Sequence, residues 1–177
     1  MTEEIIIAGF GGQGVLSMGK MIAHSGLEQN LEVSWMPSYG PEIRGGTANV
    51  TVILSDEGIS SPILQKFDTA IILNEQSLDK FEPMVKPGGT LFYDPATINR
   101  KPVRTDITVY AIPATEQAAH MQAPKVVNMF FLGAFIKVHP VLTLQSVLDG
   151  LSHCISERNL KYMPLNEKAI NIGMSMI

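Results

Sequence analysis

Ile5-Ile6-Ile7-Ala8-Gly9-Phe10-Gly11-Gly12-Gln13-Gly14 is an apolar run that breaks into four glycines, and a helical pattern follows it directly. The first four residues predict a buried strand, and Val15, Met18 and Ile22 predict one face of a helix. The turn between them fits G-x-G-x-x-G in the strand-to-helix context that phosphate binding requires. Glycines let the backbone turn sharply and approach a ligand closely, while the first helical turn offers unpaired N–H groups at the positive end of a dipole. A phosphate, pyrophosphate or carboxylate suits such a place. The candidate ligand-binding residues are therefore Gly9, Gly11, Gly12, Gln13 and Gly14. The other reading of the turn is tight strand-to-helix packing alone, and the Gln13 amide is either a donor to a phosphate oxygen or a cap on the helix.

Glu32 to Met36 reads as the second strand, running into Pro37-Ser38-Tyr39 and the nine-residue loop Ser38 to Gly46. A dinucleotide enzyme places an acidic residue at the end of this strand to hold the ribose hydroxyls. Here Glu32 lies at the start and Glu42 well past the end. The residues thus favour a Rossmann-like topology and disfavour a nicotinamide cofactor. The loop collects Ser38, Tyr39, Glu42 and Arg44 among Gly40, Gly45 and Gly46, polar groups on glycine-bracketed backbone that suit a site or an interface. Arg44 is the only arginine in the first 99 residues. It either forks an anion or pairs with Glu42 or a neighbouring subunit, and both readings put the loop on a contact surface.

Further strands are expected at Thr47 to Leu54, possessing one more polar face and antiparallel, then Thr69 to Leu73, Thr90 to Tyr93 after a turn at Lys86-Pro87-Gly88-Gly89, and Ile107 to Ile112. Past Pro113 the spacing becomes helical, over Val126 to Val138, Leu144 to Ser156 and Asn166 to Met174, with Thr143 as an N-cap. The fold class is α/β: a Rossmann-like mixed, mostly parallel sheet flanked by helices, with a helical C-terminal third. Residues 1–177 are expected to form a single domain.

Composition narrows the function. A net charge of -4 with no Lys/Arg cluster argues against nucleic acid as a partner. Mean hydropathy is +0.15 with 45% hydrophobic residues and ten Met, so part of the apolar surface is expected to face other subunits. The one cysteine, Cys154, provides neither a disulfide nor a four-thiolate cluster and is read as a packing residue. The acidic start and the lack of a long apolar run predict a cytoplasmic chain without a signal peptide or membrane span. His24, His120, His139 and His153 lack the spacing of a zinc pair, and no Ser or Cys stands in a nucleophile elbow, so neither a metal site nor a catalytic residue is expected. Asn128, at the head of an apolar helix, is read as structural, satisfying backbone nearby.

Taken together, Gly9 to Val15, the Ser38 to Gly46 loop, Asn49-Val50-Thr51-Val52 leading to Ile59-Ser60-Ser61-Pro62, and Asn128-Met129 with Leu132-Gly133 resemble the gamma subunit of 2-oxoacid:ferredoxin oxidoreductases, in the right order over nearly the whole chain. The resemblance implies a subunit of a complex that oxidatively decarboxylates a 2-oxoacid to an acyl-coenzyme A and passes electrons through iron-sulfur clusters to ferredoxin or flavodoxin. It implies alpha, beta and ferredoxin-like delta partners that hold the thiamine diphosphate, magnesium and clusters, while this chain contributes to coenzyme A binding and assembly. The chain agrees by omission, lacking a thiamine diphosphate motif and the cysteines for a cluster. On this reading Gly11, Gly12, Gln13 and Gly14 cradle the anion, Ser38, Tyr39 and Arg44 complete the pocket, and Gly40, Glu42, Gly45 and Gly46 meet the partner. The isolated chain is expected to be inactive, and a homodimer through its apolar faces is left open. 2-Oxoglutarate is slightly favoured over pyruvate. The alternatives are an assembly subunit without a ligand and an independent nucleotide-dependent oxidoreductase.

Overall fold

The structure, a computed structural model, describes residues 1–40 and 46–177. Six strands, β1 (Thr2–Phe10), β2 (Glu32–Tyr39), β3 (Thr47–Ser55), β4 (Phe67–Ile72), β5 (Val85–Tyr93) and β6 (Thr108–Ala111), form one sheet in the order β2-β3-β1-β4-β5-β6. β1, β4, β5 and β6 are parallel, whereas β3 runs antiparallel to both β1 and β2. The mixed, mostly parallel α/β sheet expected from the sequence is what forms. β1 is continuously apolar because it is buried on both faces. Ile5 and Ile7 enter the larger core, and Ile6 and Ala8 the smaller one on the other side.

Among the described residues six helices flank the sheet: α1 (Val15–Glu28), α2 (Glu75–Phe81), α3 (Ala114–His120), α4 (Val127–Val138), α5 (Leu144–Cys154) and α6 (Met163–Ser175). Val15, Met18 and Ile22 of α1 are buried in the larger core, as their spacing requires, together with the nearly wholly buried α4. α2 covers the opposite face, with Leu78 and Phe81 in the smaller core. Thr143 caps α5, its Oγ1 accepting the Ser146 N–H at 3.1 Å. Among the described residues no helix is long and apolar enough to cross a membrane.

The structure corrects the sequence expectations at the end of β2 and at Lys86 to Gly89, and adds a strand order and two helices that the sequence did not give. β1 and β2 do not lie side by side, because β3 folds back as a hairpin partner of β2 and inserts between them. β2 does not end at Met36; Pro37, Ser38 and Tyr39 pair with Val50, Asn49 and Ala48. A proline is tolerated there because β2 is the edge strand. Lys86 to Gly89 is an irregularity inside β5 rather than a turn before it, with Gly88 at φ 78° and the register to β4 shifting between Phe67 and Thr69. Finally α2 and α3, at seven residues each, are too short to declare a helical period. α2 is instead defined by its cap, Asn74 Oδ1 accepting the Ser77 N–H at 2.8 Å.

This topology places the functional region. β1, β4, β5 and β6 all end at one edge of the sheet. From β1 the chain leaves through α1 towards β2, and from β4 it leaves through α2 in the other direction. The crevice between the ends of β1 and β4 is therefore the topological switch point, where open α/β sheets bind ligands.

Candidate functional site

At that edge Phe10 ends β1 and the chain turns through Gly12 at φ 98° and Gly14 at φ 78°, left-handed conformations that favour glycine. Gly14 is the N-cap of α1 and its carbonyl accepts the Met18 N–H at 2.9 Å. The Val15, Leu16 and Ser17 N–H groups thus have no intrahelical acceptor, no side chain among the described residues caps them, and no acid stands in the first turn. The positive end of a 14-residue helix is left open. A Cβ on Gly12 would meet no atom of the described residues within 4 Å.

Gln13 has a different place from the one its sequence position suggests. Its Oε1 accepts the Phe10 N–H at 2.6 Å and its Nε2 donates to the Leu73 carbonyl at 3.0 Å. The amide thereby ties the glycine turn to the end of β4, across the switch point. The Leu73 carbonyl also accepts Thr97 Oγ1 at 3.1 Å, and the Leu73 N–H donates to Ala8 at 2.8 Å, so the anchor is itself fixed. Gln13 holds the shape of the turn. The Gly11 N–H donates to the Gly46 carbonyl at 2.9 Å, which joins the turn to the start of β3.

The turn stands between two cavities of similar size. One, of about 430 Å³, is lined by Gly11, Gly12, Gly14, Tyr39 and the open first turn of α1, with Phe10, Thr47 and Ala48 completing a largely apolar wall. The other, of about 420 Å³, lies on the β4 and β5 side against Gly12, Gln13, Gly14, Asp94, Thr97, Thr115, Lys125 and Asn128. Asp94 is only 1% exposed, and its carboxylate accepts the Ala96 N–H and both the N–H and Oγ1 of Thr115. Lys125 is exposed and makes no ion pair or hydrogen bond among the described residues.

Of the residues selected from sequence, Gly11, Gly12, Gln13, Gly14 and Tyr39 line these cavities, and Tyr39 is 61% exposed at the end of β2. Gly9 lies behind the turn within β1, and Ser38 is an exposed residue of β2 that lines neither cavity. Gly40 donates its N–H to the Thr47 carbonyl at 3.3 Å. Glu42, Arg44 and Gly45 lie outside the described residues. Sequence reasoning passed over Lys125, Thr97, Thr115 and Ser17, which have no motif of their own and meet only through the fold. Asn128 also differs from its expected backbone-satisfying role: it is 7% exposed, and its Oδ1 has no hydrogen-bond partner among the described residues.

Known proteins place this architecture. The pyruvate ferredoxin/flavodoxin oxidoreductase family matches residues 4–176. The chain belongs to this family. It is similar to the 2-oxoglutarate synthase subunit KorC of Methanocaldococcus jannaschii, 34% identical over 167 residues that cover 90% of this chain and 89% of the relative. It is 34% identical over 171 residues to the ketoisovalerate oxidoreductase subunit VorA of Methanothermobacter marburgensis, covering 96% of this chain and only 35% of the relative. The 2-oxoglutarate:ferredoxin oxidoreductase of Magnetococcus marinus, solved with 2-oxoglutarate, coenzyme A and succinyl-CoA bound, superposes with a TM-score of 0.89 at 25% identity, covering 99% of this chain and 31% of that one. This family member thus spans a separate subunit in some relatives and about a third of a longer chain in others. Among its described residues no group of three or more His, Cys, Asp or Glu side chains is arranged to hold a metal ion.

A separate polar cluster lies at the other end of β1, about 25 Å from the glycine turn by the rise of a strand. Thr69 Oγ1 donates to Glu3 Oε1 at 2.6 Å, and His139 Nε2 lies 3.0 Å from Thr90 Oγ1 and 3.2 Å from Thr69 Oγ1. Burial pushes the Glu3 carboxyl up to about 7, overriding the Thr69 hydrogen bond, and burial also lowers the His139 imidazole. Lys86 bridges Glu4 at 2.6 Å and Asp68 at 2.7 Å; burial works against its charge, but these carboxylates hold its ammonium above the usual range. The cluster fastens β1 to β4, β5 and the end of α4, remote from the cavities.

Proposed function

We propose that this chain is the gamma component of a multisubunit 2-oxoacid:ferredoxin oxidoreductase and that its glycine turn binds coenzyme A. The observation that carries the reading is the uncapped N-terminus of α1, opening with glycine backbone into an apolar cavity beside Tyr39. Three free N–H groups and a dipole suit the coenzyme's diphosphate. The apolar wall and the Tyr39 ring suit its adenine or its pantetheine arm. Val15, Leu16 and Ser17 orient the phosphates, Gln13 keeps the turn in shape, and Phe10 and Ala48 exclude water from the arm. Bound there, the coenzyme supplies the thiol that accepts the acyl group.

Thiamine diphosphate, magnesium and iron-sulfur clusters reside in partner alpha, beta and ferredoxin-like delta subunits on this reading, and ferredoxin or flavodoxin accepts the electrons. The whole of residues 1–177 acts as one domain in the cytoplasm, inactive by itself. Ser38 and Arg44 complete the pocket or meet the thiamine-carrying partner on this reading, as Gly40, Glu42, Gly45 and Gly46 do, and the exposed Trp35, Met36 and Tyr39 of the edge strand add apolar surface for that partner. The near-full-length similarity to the KorC subunit supports 2-oxoglutarate as substrate. The test is to purify the complex through a tag on this chain and assay 2-oxoacid-dependent reduction of ferredoxin. The reading expects reduction that requires coenzyme A, with 2-oxoglutarate better than pyruvate or ketoisovalerate; turnover independent of coenzyme A, or none with any 2-oxoacid, contradicts it.

A further inference from the structure

At the end of the sheet remote from the glycine turn, a carboxyl and an imidazole face each other with no other charged partner. Glu3 Oε2 of β1 lies 3.7 Å from Nδ1 of His139, the residue that ends α4, and the two side chains are only 13% and 22% exposed. The charges around them are already committed. Lys86 of β5 pairs with Glu4 of β1 at 2.6 Å and with Asp68 of β4 at 2.7 Å, and the other Asp68 oxygen accepts the Glu4 N–H at 3.0 Å. Among the described residues Glu3 therefore has no ion-pair partner but His139. The imidazole packs against the Phe135 and Phe92 rings, and burial lowers it, so it is neutral at neutral pH. Burial raises the Glu3 carboxyl, against the hydrogen bond from Thr69, so its proton is exchanged in that same range.

The threonine hydroxyls decide how this pair is wired. Thr69 has one hydrogen, and it is given to Glu3 Oε1 at 2.6 Å. Towards His139 Nε2, 3.2 Å away, the Thr69 oxygen can then only accept, whereas Thr90 Oγ1, 3.0 Å from the same nitrogen, can accept or donate. With Oε1 taken, a proton on Glu3 belongs on Oε2, facing Nδ1. We infer that Glu3, His139 and Thr90 form a pH-operated tautomer switch: while Glu3 keeps its proton the imidazole carries its hydrogen on Nε2, and when Glu3 ionises that hydrogen is exchanged for one on Nδ1. In the first state Nε2–H donates to the threonine oxygens and the Nδ1 lone pair faces the Oε2 proton. In the second the Thr90 O–H donates to Nε2 and Nδ1–H faces the carboxylate. At 3.7 Å the two side chains are at ion-pair rather than hydrogen-bond distance, so charge sets which face the ring presents. One proton leaves the carboxyl for solvent, and the ring stays neutral throughout, losing one proton and gaining another through the water that reaches both side chains. The tie between the end of α4 and β1 thereby changes from a neutral contact to one made to a charge.

Two-bond proton–nitrogen correlation NMR on the full chain, isotopically labelled at its histidine nitrogens, distinguishes the two neutral tautomers from the imidazolium. In the wild type the His139 ring should pass from Nε2–H to Nδ1–H as pH rises, with its midpoint at about 7, where Glu3 ionises. Glu3→Gln imitates the protonated acid, its amide oxygen accepting from Thr69 and its amide N–H facing Nδ1, and should hold the ring as Nε2–H at every pH. Thr90→Val, which keeps the shape and removes the donor that the second state needs, should raise the midpoint by about one pH unit, the equivalent of one hydrogen bond. A role confined to packing would move neither tautomer nor midpoint. A single tautomer across the range in the wild type, a doubly protonated ring at the midpoint, or the same transition in Glu3→Gln would overturn the switch. Should Glu3→Gln not fold, an unmoved midpoint in Thr90→Val overturns it equally.

Discussion

Replacing Gln13 with alanine tests whether the glycine turn is held in place by this side chain. The substitution removes two hydrogen bonds, from the Phe10 N–H at 2.6 Å and to the Leu73 carbonyl at 3.0 Å. The Leu73 carbonyl keeps Thr97 Oγ1 at 3.1 Å, so that end is still satisfied. The Phe10 N–H loses its side-chain acceptor, but Phe10 is only half-buried and water can reach it. Each net bond contributes about 1 kcal/mol, so the expected loss is about 2 kcal/mol. In urea that moves the midpoint down by roughly 1 M for a slope near 2 kcal/mol/M. Gln13→Glu should cost at least as much, because it keeps an acceptor for Phe10 but turns a carboxylate oxygen towards the Leu73 carbonyl. Urea unfolding followed by far-UV circular dichroism measures both variants. A loss below about 0.5 kcal/mol for Gln13→Ala would show that the turn keeps its shape without the tie, and Gln13 would then be free to serve as a phosphate donor.

Other expectations follow from the same geometry. Glu3, whose carboxyl burial raises to about 7, retains in the native state a proton that the unfolded chain releases above its ordinary 4.5, so it makes stability fall as pH rises between about 4.5 and 7. His139 is lowered by burial and acts oppositely, destabilising the fold as pH drops below 6.5. Glu3→Gln should therefore remove the fall and leave only the rise with pH that His139 imposes, which thermal melts from pH 4.5 to 8 would detect; an unchanged profile contradicts the assignment. Gly14→Ala combines a φ of 78° with a Cβ 2.7 Å from Asn128 Nδ2, and should cost roughly 1–3 kcal/mol by equilibrium unfolding. Thr143→Ala removes the α5 cap and should cost about 1 kcal/mol, with Thr143→Ser restoring most of it.

What the sequence revealed, and what it concealed, divides along physical lines. Long elements buried on one or two faces declare themselves, because burial sets the pattern of apolar residues: β1, α1, α4 and the alternation in β3 are all readable. The insertion of β3 between β1 and β2 is not, since strand order depends on which edges meet and not on any single strand's composition. α2 and α3 are too short to show a period. The glycine turn was legible as a sharp strand-to-helix turn, with Gly12 and Gly14 in the left-handed region. The role of Gln13 was not, because its acceptor, the Leu73 carbonyl, is 60 residues away and backbone carbonyls carry no sequence signal. Lys125 was hidden for a similar reason, and Asn128, though noticed in the sequence, shows its place against Gly14 only in the folded chain.

The central claim is that the glycine turn at the end of β1 is where coenzyme A binds, and titration calorimetry of coenzyme A into the assembled complex tests it most directly, with wild-type chain set against Gly12→Val. A valine there forces a branched residue to φ 98° and extends into the cavity before α1, its Cβ meeting nothing within 4 Å among the described residues. Saturable binding in the wild type and its loss in the variant, with the complex still intact by size-exclusion chromatography, is the predicted result. Equal affinity in both would contradict the claim.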